Sequence, residues 1–428
     1  MRGDFSRTRV PIRVCARQLS RTAAALAAIV VLALWAPAAQ SRGAPISGGA
    51  RPADPGPSRS RGTELLGSRR PHRPGAPGLR GRANTIAPPN ELGVIPILEY
   101  HSVGGPSEFN DGVLYDKHGL NIAPDTLRRQ LALMYAAGWY PVNMRDVLTA
   151  RIRVPRGRIP VVLTFDDARP SQFRYLPNGR IDPSSAVGIL EAFHRRHRDW
   201  PRRATFYVLP ESRWNGVPFE QDGAERRKLR YLLRRGYEIA NHTLSHRSLA
   251  TMSPATLRWE MAEAVRDIRR LAPRATMDTM ALPYGIAPND PTRWDLLLDG
   301  RQGGTRYHNR CILLASGGPA FPFAHRQFDR RQVPRIEPEP GAIERWITDL
   351  RPGGPVAPFV SDGKASIVTI PGEEKKNLNV RRLRGCGLVI DFAYKRGASS
   401  AAPHGNAAAG VMRTAHPAAG YPATPKGL

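Results

Sequence analysis

Asp166 and Asp167 stand side by side at the end of an apolar, β-branched run, Ile159-Pro160-Val161-Val162-Leu163, and His242 and His246 follow about 75 residues later. Carboxylates at a strand end and two histidines four residues apart can supply three ligands to one metal ion. One carboxylate is then left over to act as a base, which suits hydrolysis by a metal-activated water. Each half alone has a plainer reading. An Asp at a strand end commonly closes an Asx-turn or caps a helix, and two hydrogen-bonded histidines need bind nothing. Neighbouring positions on an extended chain point to different sides, so one carboxylate can face metal while the other faces water or substrate. Two adjacent carboxylates repel unless a cation or hydrogen bonds offset them. Residues four apart share one face of a helical turn, which lets both imidazoles reach one ion. Asn241, just before, could orient a ligand.

Both motifs follow short apolar strands, and helical patterns lie between them. Val94-Ile95-Pro96-Ile97-Leu98 reads as a first strand leading into Tyr100-His101. Pro124-Asp125 opens a helix with Leu127, Leu131, Met134 and Tyr135 on one face and Gly138 at its end. Residues 184–197 and the basic stretch 225–235 read as further helices, and Ala204–Leu209 and Tyr237–Ala240 as strands. Ser253-Pro254 starts a helix burying Leu257, Met261, Val265 and Ile268. Thr279–Leu282 is a strand before Pro283-Tyr284-Gly285. This βα alternation predicts a parallel sheet with helices outside. Polar motifs at successive strand ends predict a barrel with its site at the C-terminal face of the strands. Beyond about residue 350 the pattern changes, and Ala365–Ile370 and Leu378–Tyr394 read as short strands of a small β extension over 351–396.

The formal net charge is +28. Residues 1–90 hold 15 Arg, no Lys and three acidic residues, a net of +12. Such a segment could contact anionic cell-wall polymer or a membrane surface. No helix-turn-helix, finger or stacking platform accompanies it, which argues against specific nucleic-acid binding. Six arginines up to Arg21 precede an apolar run from Ala23 to Ala36, and Ala36-Pro37-Ala38 offers small residues for cleavage. Residues 1–38 therefore read as a signal peptide, with an uncleaved anchor as the alternative, and the protein as secreted or held at the cell envelope. Residues 39–90 and 397–428, rich in Pro, Gly and Ala, read as a disordered linker and tail. With three cysteines and no CxxC, a thiolate zinc site is disfavoured. Export permits a Cys311–Cys386 disulfide, which the sequence does not settle.

Thr164-Phe165-Asp166-Asp167, His242-Thr243-Leu244-Ser245-His246 and Pro283-Tyr284-Gly285 occur in the order and approximate spacing of the NodB-homology polysaccharide deacetylases, carbohydrate esterase family 4. Pro96-Ile97-Leu98-Glu99-Tyr100-His101 resembles the opening of the poly-N-acetylglucosamine deacetylase branch. The resemblance spans roughly residues 92–340, within a catalytic domain placed at 91–350. It implies a distorted (β/α) barrel that removes acetyl groups from N- or O-acetylated amino sugars. It also implies Asp167, His242 and His246 as ligands of a divalent metal, Zn²⁺ most simply, with Co²⁺ or Ni²⁺ as alternatives. Asp166 would be the general base, and Pro283 and Tyr284 would form the substrate and oxyanion pocket. His101 is the candidate acid; a structural histidine at a strand end is its competing reading, and His308 and His325 are weaker candidates. The chain departs from the family pattern in two places. Ala281 stands where an arginine usually holds the catalytic Asp, and the late Trp-containing motif is not evident. Ala281 also motivates a second reading, a carbohydrate-binding protein of this fold without turnover.

Overall fold

The computed structural model describes residues 87–104, 121–211 and 216–391. The stretch read as a signal peptide, most of the stretch read as a linker and residues 397–428, read as a tail, lie outside the described residues. The first strands are β1 (Ile97–Tyr100), β2 (Ser102–Val103), β3 (Asn121–Ile122), β4 (Trp139–Val142), β5 (Ile159–Phe165), β6 (Thr205–Val208) and β7 (Glu238–Asn241). They are followed by β8 (Met280–Ala281), β9 (Asp299–Gln302), β10 (Thr305–His308), β11 (Ile312–Gly317), β12 (Val333–Arg335), β13 (Ile367–Pro371) and β14 (Gly387–Asp391). The helices are α1 (Pro124–Ala136), α2 (Met144–Val147), α3 (Ala186–Arg196), α4 (Glu225–Arg235), α5 (Pro254–Leu271), α6 (Asp295–Leu298) and α7 (Ala342–Asp349).

The helices start and stop where local chemistry dictates. Pro124 and Pro254 occupy first-turn positions where no N–H is needed. Ser185 Oγ and Ser253 Oγ accept from Gly188 N and Thr256 N, which satisfies otherwise orphaned donors. Gly236, at φ 95°, closes α4 in a left-handed conformation that a side chain would resist. On α5, Leu257, Met261, Val265 and Ile268 are all buried, as the 3.6-residue period requires. On α1, Gln130 is buried instead of Tyr135, and accepts a hydrogen bond from Tyr100 Oη. Tyr135 lies at the edge, donating to Asp199.

Eight strands form one parallel sheet in the order β1-β5-β6-β7-β8-β11-β12, with β4 also paired to β5. Glu99 N donates to Ile336 O and Ile336 N to Ile97 O, which joins the last strand to the first. The expected (β/α) barrel is thus present. Side chains alternate across it with period two. Leu98, Val161, Leu163, Phe165, Phe206, Ile239, Met280 and Ile312 pack outward under the helices. Ile97, Val162, Tyr207, Ala240, Ala281, Leu313 and Val333 form a second cluster inside the ring. This parity decides the site: positions 99, 164, 166, 242 and 335 continue the inward set at the C-terminal ends.

The same parity places Glu238, Thr205 and Thr279 inward at the other end. Glu238 accepts from Arg145 N, Thr205 Oγ1 and Thr279 Oγ1, and burial pushes its carboxyl up to about 7 despite the nearby Arg145. Below the ordinary carboxylate range Glu238 is protonated folded or unfolded. Between there and about pH 7 only the unfolded chain ionises it, so stability falls as pH rises and is flat above. The raised value costs about 3 kcal/mol at neutral pH. Glu238→Gln should therefore flatten the fall in urea stability between about pH 5 and about pH 8 by that amount. An unchanged slope would refute the assignment. Glu91, raised to about 7 by burial, contributes its own slope to both proteins.

Beyond α7, β13 and β14 pair in parallel. Leu378–Tyr394 is not strand from its start. Residues 372–377 and 380–383 form 3₁₀ turns, and strand begins only at Gly387. Arg382 explains part of the difference, because its guanidinium donates to the carbonyls of Phe323, His325 and Phe328 and ties the turn to that loop. Asn90 and Val360 exchange backbone hydrogen bonds, so order begins ahead of Glu91. Cys311 and Cys386 are both free thiols. Among the described residues no helix is long and apolar enough to cross a membrane.

Candidate metal centre and active site

Asp167 follows β5 by two residues, and its backbone turns left-handed at φ 76°. That turn breaks the strand and sends its carboxylate away from Asp166. Asp167 Oδ1 lies 3.3 Å from His242 Nε2 and 3.2 Å from His246 Nε2. Ligands about 2.0–2.2 Å from a tetrahedral ion stand about 3.3–3.6 Å from one another, so these separations suit one. His242 Nδ1 lies 3.0 Å from Ala281 O. A carbonyl only accepts, so Nδ1 carries the proton and Nε2 presents a lone pair. Asp167 Oδ1 and His242 Nε2 are buried and have no hydrogen-bond partner. Facing lone pairs of this kind call for a cation between them. The donor set fits a divalent metal.

The two histidines do not share a helical turn. They sit in a loop after β7 in which Thr243 and His246 adopt φ of 69° and 53°. Thr243 N donates to Asn241 Oδ1, and His246 N to Thr243 Oγ1. Asn241 therefore shapes the loop that carries both histidines. Glu260, buried on α5, accepts from Leu244 N, Ser245 N and Ser245 Oγ. It fixes the loop from beneath.

Asp166 is held by Arg335. The guanidinium Nη1 donates to Asp166 Oδ1 and Nη2 to Asp166 Oδ2, each at 2.9 Å. The other N–H groups go to Thr164 Oγ1, Glu99 Oε1 and Leu314 O. All five donors of a fully buried arginine are thereby used. Burial pushes the Asp166 carboxyl up, but Arg335, His242 and His101 outweigh it and hold it below the usual range. The arginine expected at position 281 is thus replaced from β12, on the far side of the ring closure. Ala281 still contributes, through the carbonyl that orients His242.

Burial also pushes Asp167 up, but contacts with His242, His101 and His246 hold it well below its ordinary value. His246 is driven down to about 4 by burial and by His242, which leaves it neutral as a ligand must be. Burial lowers His242, and Asp166, Asp167 and the Ala281 carbonyl more than reverse that.

His101 lies at the end of β1, with Nε2 3.7 Å from Glu99 Oε1 and burial lowering its pKa. Glu99, His101 and Asp166 also bring donor atoms within 4.8 Å of one another. Arg335 already occupies Glu99 and Asp166, so a second cation there would compete with a fixed guanidinium. The Asp167 group is the better metal site. Tyr284, 45% exposed, sets its ring at a tilt against His246 with centroids 4.4 Å apart, and Pro283, in the same turn, is buried. His308 pairs with Asp299 on the β9–β10 hairpin, and His325 stacks on Phe321. Neither belongs to the cluster around Asp166 and Asp167.

A polysaccharide deacetylase family model matches residues 153–298. A chitooligosaccharide deacetylase of Bradyrhizobium sp. (strain ANU 289) is 39% identical over 248 residues, covering 56% of this chain and 87% of that protein. Another, from Sinorhizobium fredii (strain NBRC 101917 / NGR234), is 34% identical over 145 residues, covering 34% of this chain and 56% of the relative. Among solved structures, the Streptococcus pyogenes deacetylase PplD in complex with acetate aligns over 60% of this chain and 97% of its own, at 19% identity and a TM-score of 0.43. Identity at the level of the Bradyrhizobium protein, sustained over most of that relative, leaves no room for a chance match, and the chain belongs to the polysaccharide deacetylases, hydrolases of carbon–nitrogen bonds other than peptide bonds.

Proposed function

We propose that this is an exported, divalent-metal-dependent deacetylase that removes N-acetyl groups from amino-sugar polymers or oligomers, with O-acetyl esters as a second class of substrate. The carrying observation is the division of labour between adjacent carboxylates. Asp167 faces two histidine Nε2 atoms, whereas Asp166 is tied to Arg335. The names of the two curated relatives support chitooligosaccharide-like substrates. The arginine-rich, apolar N-terminus supports export or anchoring, and its basic linker suits anionic wall polymer or a membrane surface.

Asp167, His242 and His246 would hold the metal. Zn²⁺ held there, or Co²⁺ or Ni²⁺, would supply Lewis acidity to a water and to the acetyl carbonyl. Asp166 accepts the proton of the attacking water, with Arg335 keeping the carboxylate ionised and aimed. His101 gives a proton to the departing amine. The Pro283-Tyr284-Gly285 turn walls the acetyl pocket beside His246 and offers a backbone N–H to the oxyanion.

Acetate release from N-acetylglucosamine oligomers, with each metal added in turn, tests the reading. Protein that binds metal but releases acetate from no acetylated sugar, ester or amide would refute it. The carbohydrate-binding alternative rested on Ala281, and Arg335 now supplies the contact that position lacks. His101→Gln should keep full metal occupancy and lose ~10²–10⁴-fold in kcat, the usual worth of a general acid. Unchanged kcat would return His101 to a structural role.

A further inference from the structure

We propose that an arginine-lined cleft at the opposite end of the barrel binds a compact oligophosphate. Arg145, Arg203, Arg230, Arg234 and Arg274 line a cleft of about 610 Å³, within the usual size of small-molecule sites. Gly236 and Tyr237, also in its wall, lead into β7, whose other end delivers His242. The four residues of β7 span about 13 Å, so the cleft and the metal centre occupy opposite ends of the strands.

The charge there is unbalanced. Among the described residues Arg203, Arg230, Arg234 and Arg274 enter no ion pair, although their neighbours Arg202 and Arg235 both pair with Glu191. The carboxylate in the cleft wall is Asp146, whose Oδ2 accepts from Asn143 N, and the buried Glu238 lies behind the wall, 3.6 Å from Arg145 Nε. Five guanidiniums thus meet two carboxylates, one of them buried. Two of the arginines are already fixed. Arg203 Nη1 donates to Arg202 O and Gly236 O, and Arg230 Nε to Leu271 O. Each keeps further N–H groups for a ligand. Crowded like charges repel, and planar forks held in place match the oxygens of phosphate groups. A ligand of several closely spaced phosphates supplies the missing charge within the volume available.

Titration of the full chain with tripolyphosphate at physiological salt tests this by calorimetry. Arg234 and Arg274 are exposed, so Arg234→Gln/Arg274→Gln should fold normally. It should bind about 10²-fold more weakly, the loss expected for two charge-assisted contacts. Arg195→Gln/Arg196→Gln removes the same charge from exposed positions on α3 and should change affinity little. No saturable binding overturns the proposal. So does an unchanged affinity in the cleft variant, which would place the anion elsewhere, such as the arginine-rich N-terminus. An equal loss in the α3 variant would mean general charge attraction, and citrate binding as tightly would remove the phosphate assignment. None of these outcomes depends on deacetylase activity.

Discussion

Arg335→Ala should lower kcat/KM for acetate release by ~10³-fold or more, with the bound-metal stoichiometry unchanged. Asp166, the proposed base, has both oxygens on one guanidinium, and among the described residues no other arginine or lysine pairs with it. Without Arg335, Asp166 and Glu99 become two buried carboxylates with no cation between them. One must protonate or move, and a small displacement of a base costs orders of magnitude. Breaking a buried ion pair on one side also costs roughly 3–5 kcal/mol of stability, so the alanine variant could be lost to unfolding. Arg335→Lys guards against that outcome. It retains the charge and loses the planar fork, so it should fold, keep its metal, and lose ~10²-fold in kcat with KM little changed. Added guanidinium should restore part of the turnover of the alanine variant and none of that of a metal-ligand variant. A lysine variant with wild-type kcat would show that Arg335 is packing and charge, and no more.

Arg335 also marks the limit of what the sequence discloses. The strands and helices that carry the site were legible because their apolar periods are strong. Leu257, Met261, Val265 and Ile268 announce α5, and the run ending at Leu163 announces β5. The metal-ligand candidates were legible because each follows such a strand. Arg335 was not, because β12 is only three residues long and its link to Asp166 crosses 169 positions. One signal existed: Val333 and Arg335 alternate inward, which buries a charge that demands a carboxylate. Glu260 was hidden differently. It lies one place from Met261 on a helix face read as apolar, and two of its three partners are backbone N–H groups that no side-chain pattern reveals. The His242–His246 spacing suggested a helical turn, yet the loop reaches the same convergence through left-handed residues at Thr243 and His246. Spacing constrains reach more firmly than it constrains conformation.

Asp166→Asn and Asp167→Asn, a pair of near-isosteric changes at adjacent positions, should fail in different ways. Asp166→Asn removes the proposed proton acceptor and leaves Asp167, His242 and His246 untouched. It should bind metal at wild-type stoichiometry and lose ~10³–10⁴-fold in kcat. Its amide cannot satisfy Arg335 through two oxygens, so a modest fall in stability should accompany the loss. Asp167→Asn removes the only carboxylate of the proposed ligand set. Two neutral imidazoles and an amide oxygen bind a divalent ion far more weakly, so occupancy and activity should fall together. Thermal shift separates the two without any activity readout. A ligand that binds only the folded state stabilises it by mass action, about 2.7 kcal/mol at a hundredfold excess over Kd. Zn²⁺ should therefore raise Tm in the wild type and in Asp166→Asn, and leave Asp167→Asn unmoved. Equal Zn²⁺ shifts in both variants would mean that the ion sits elsewhere, and the roles given to the two carboxylates would have to be redrawn.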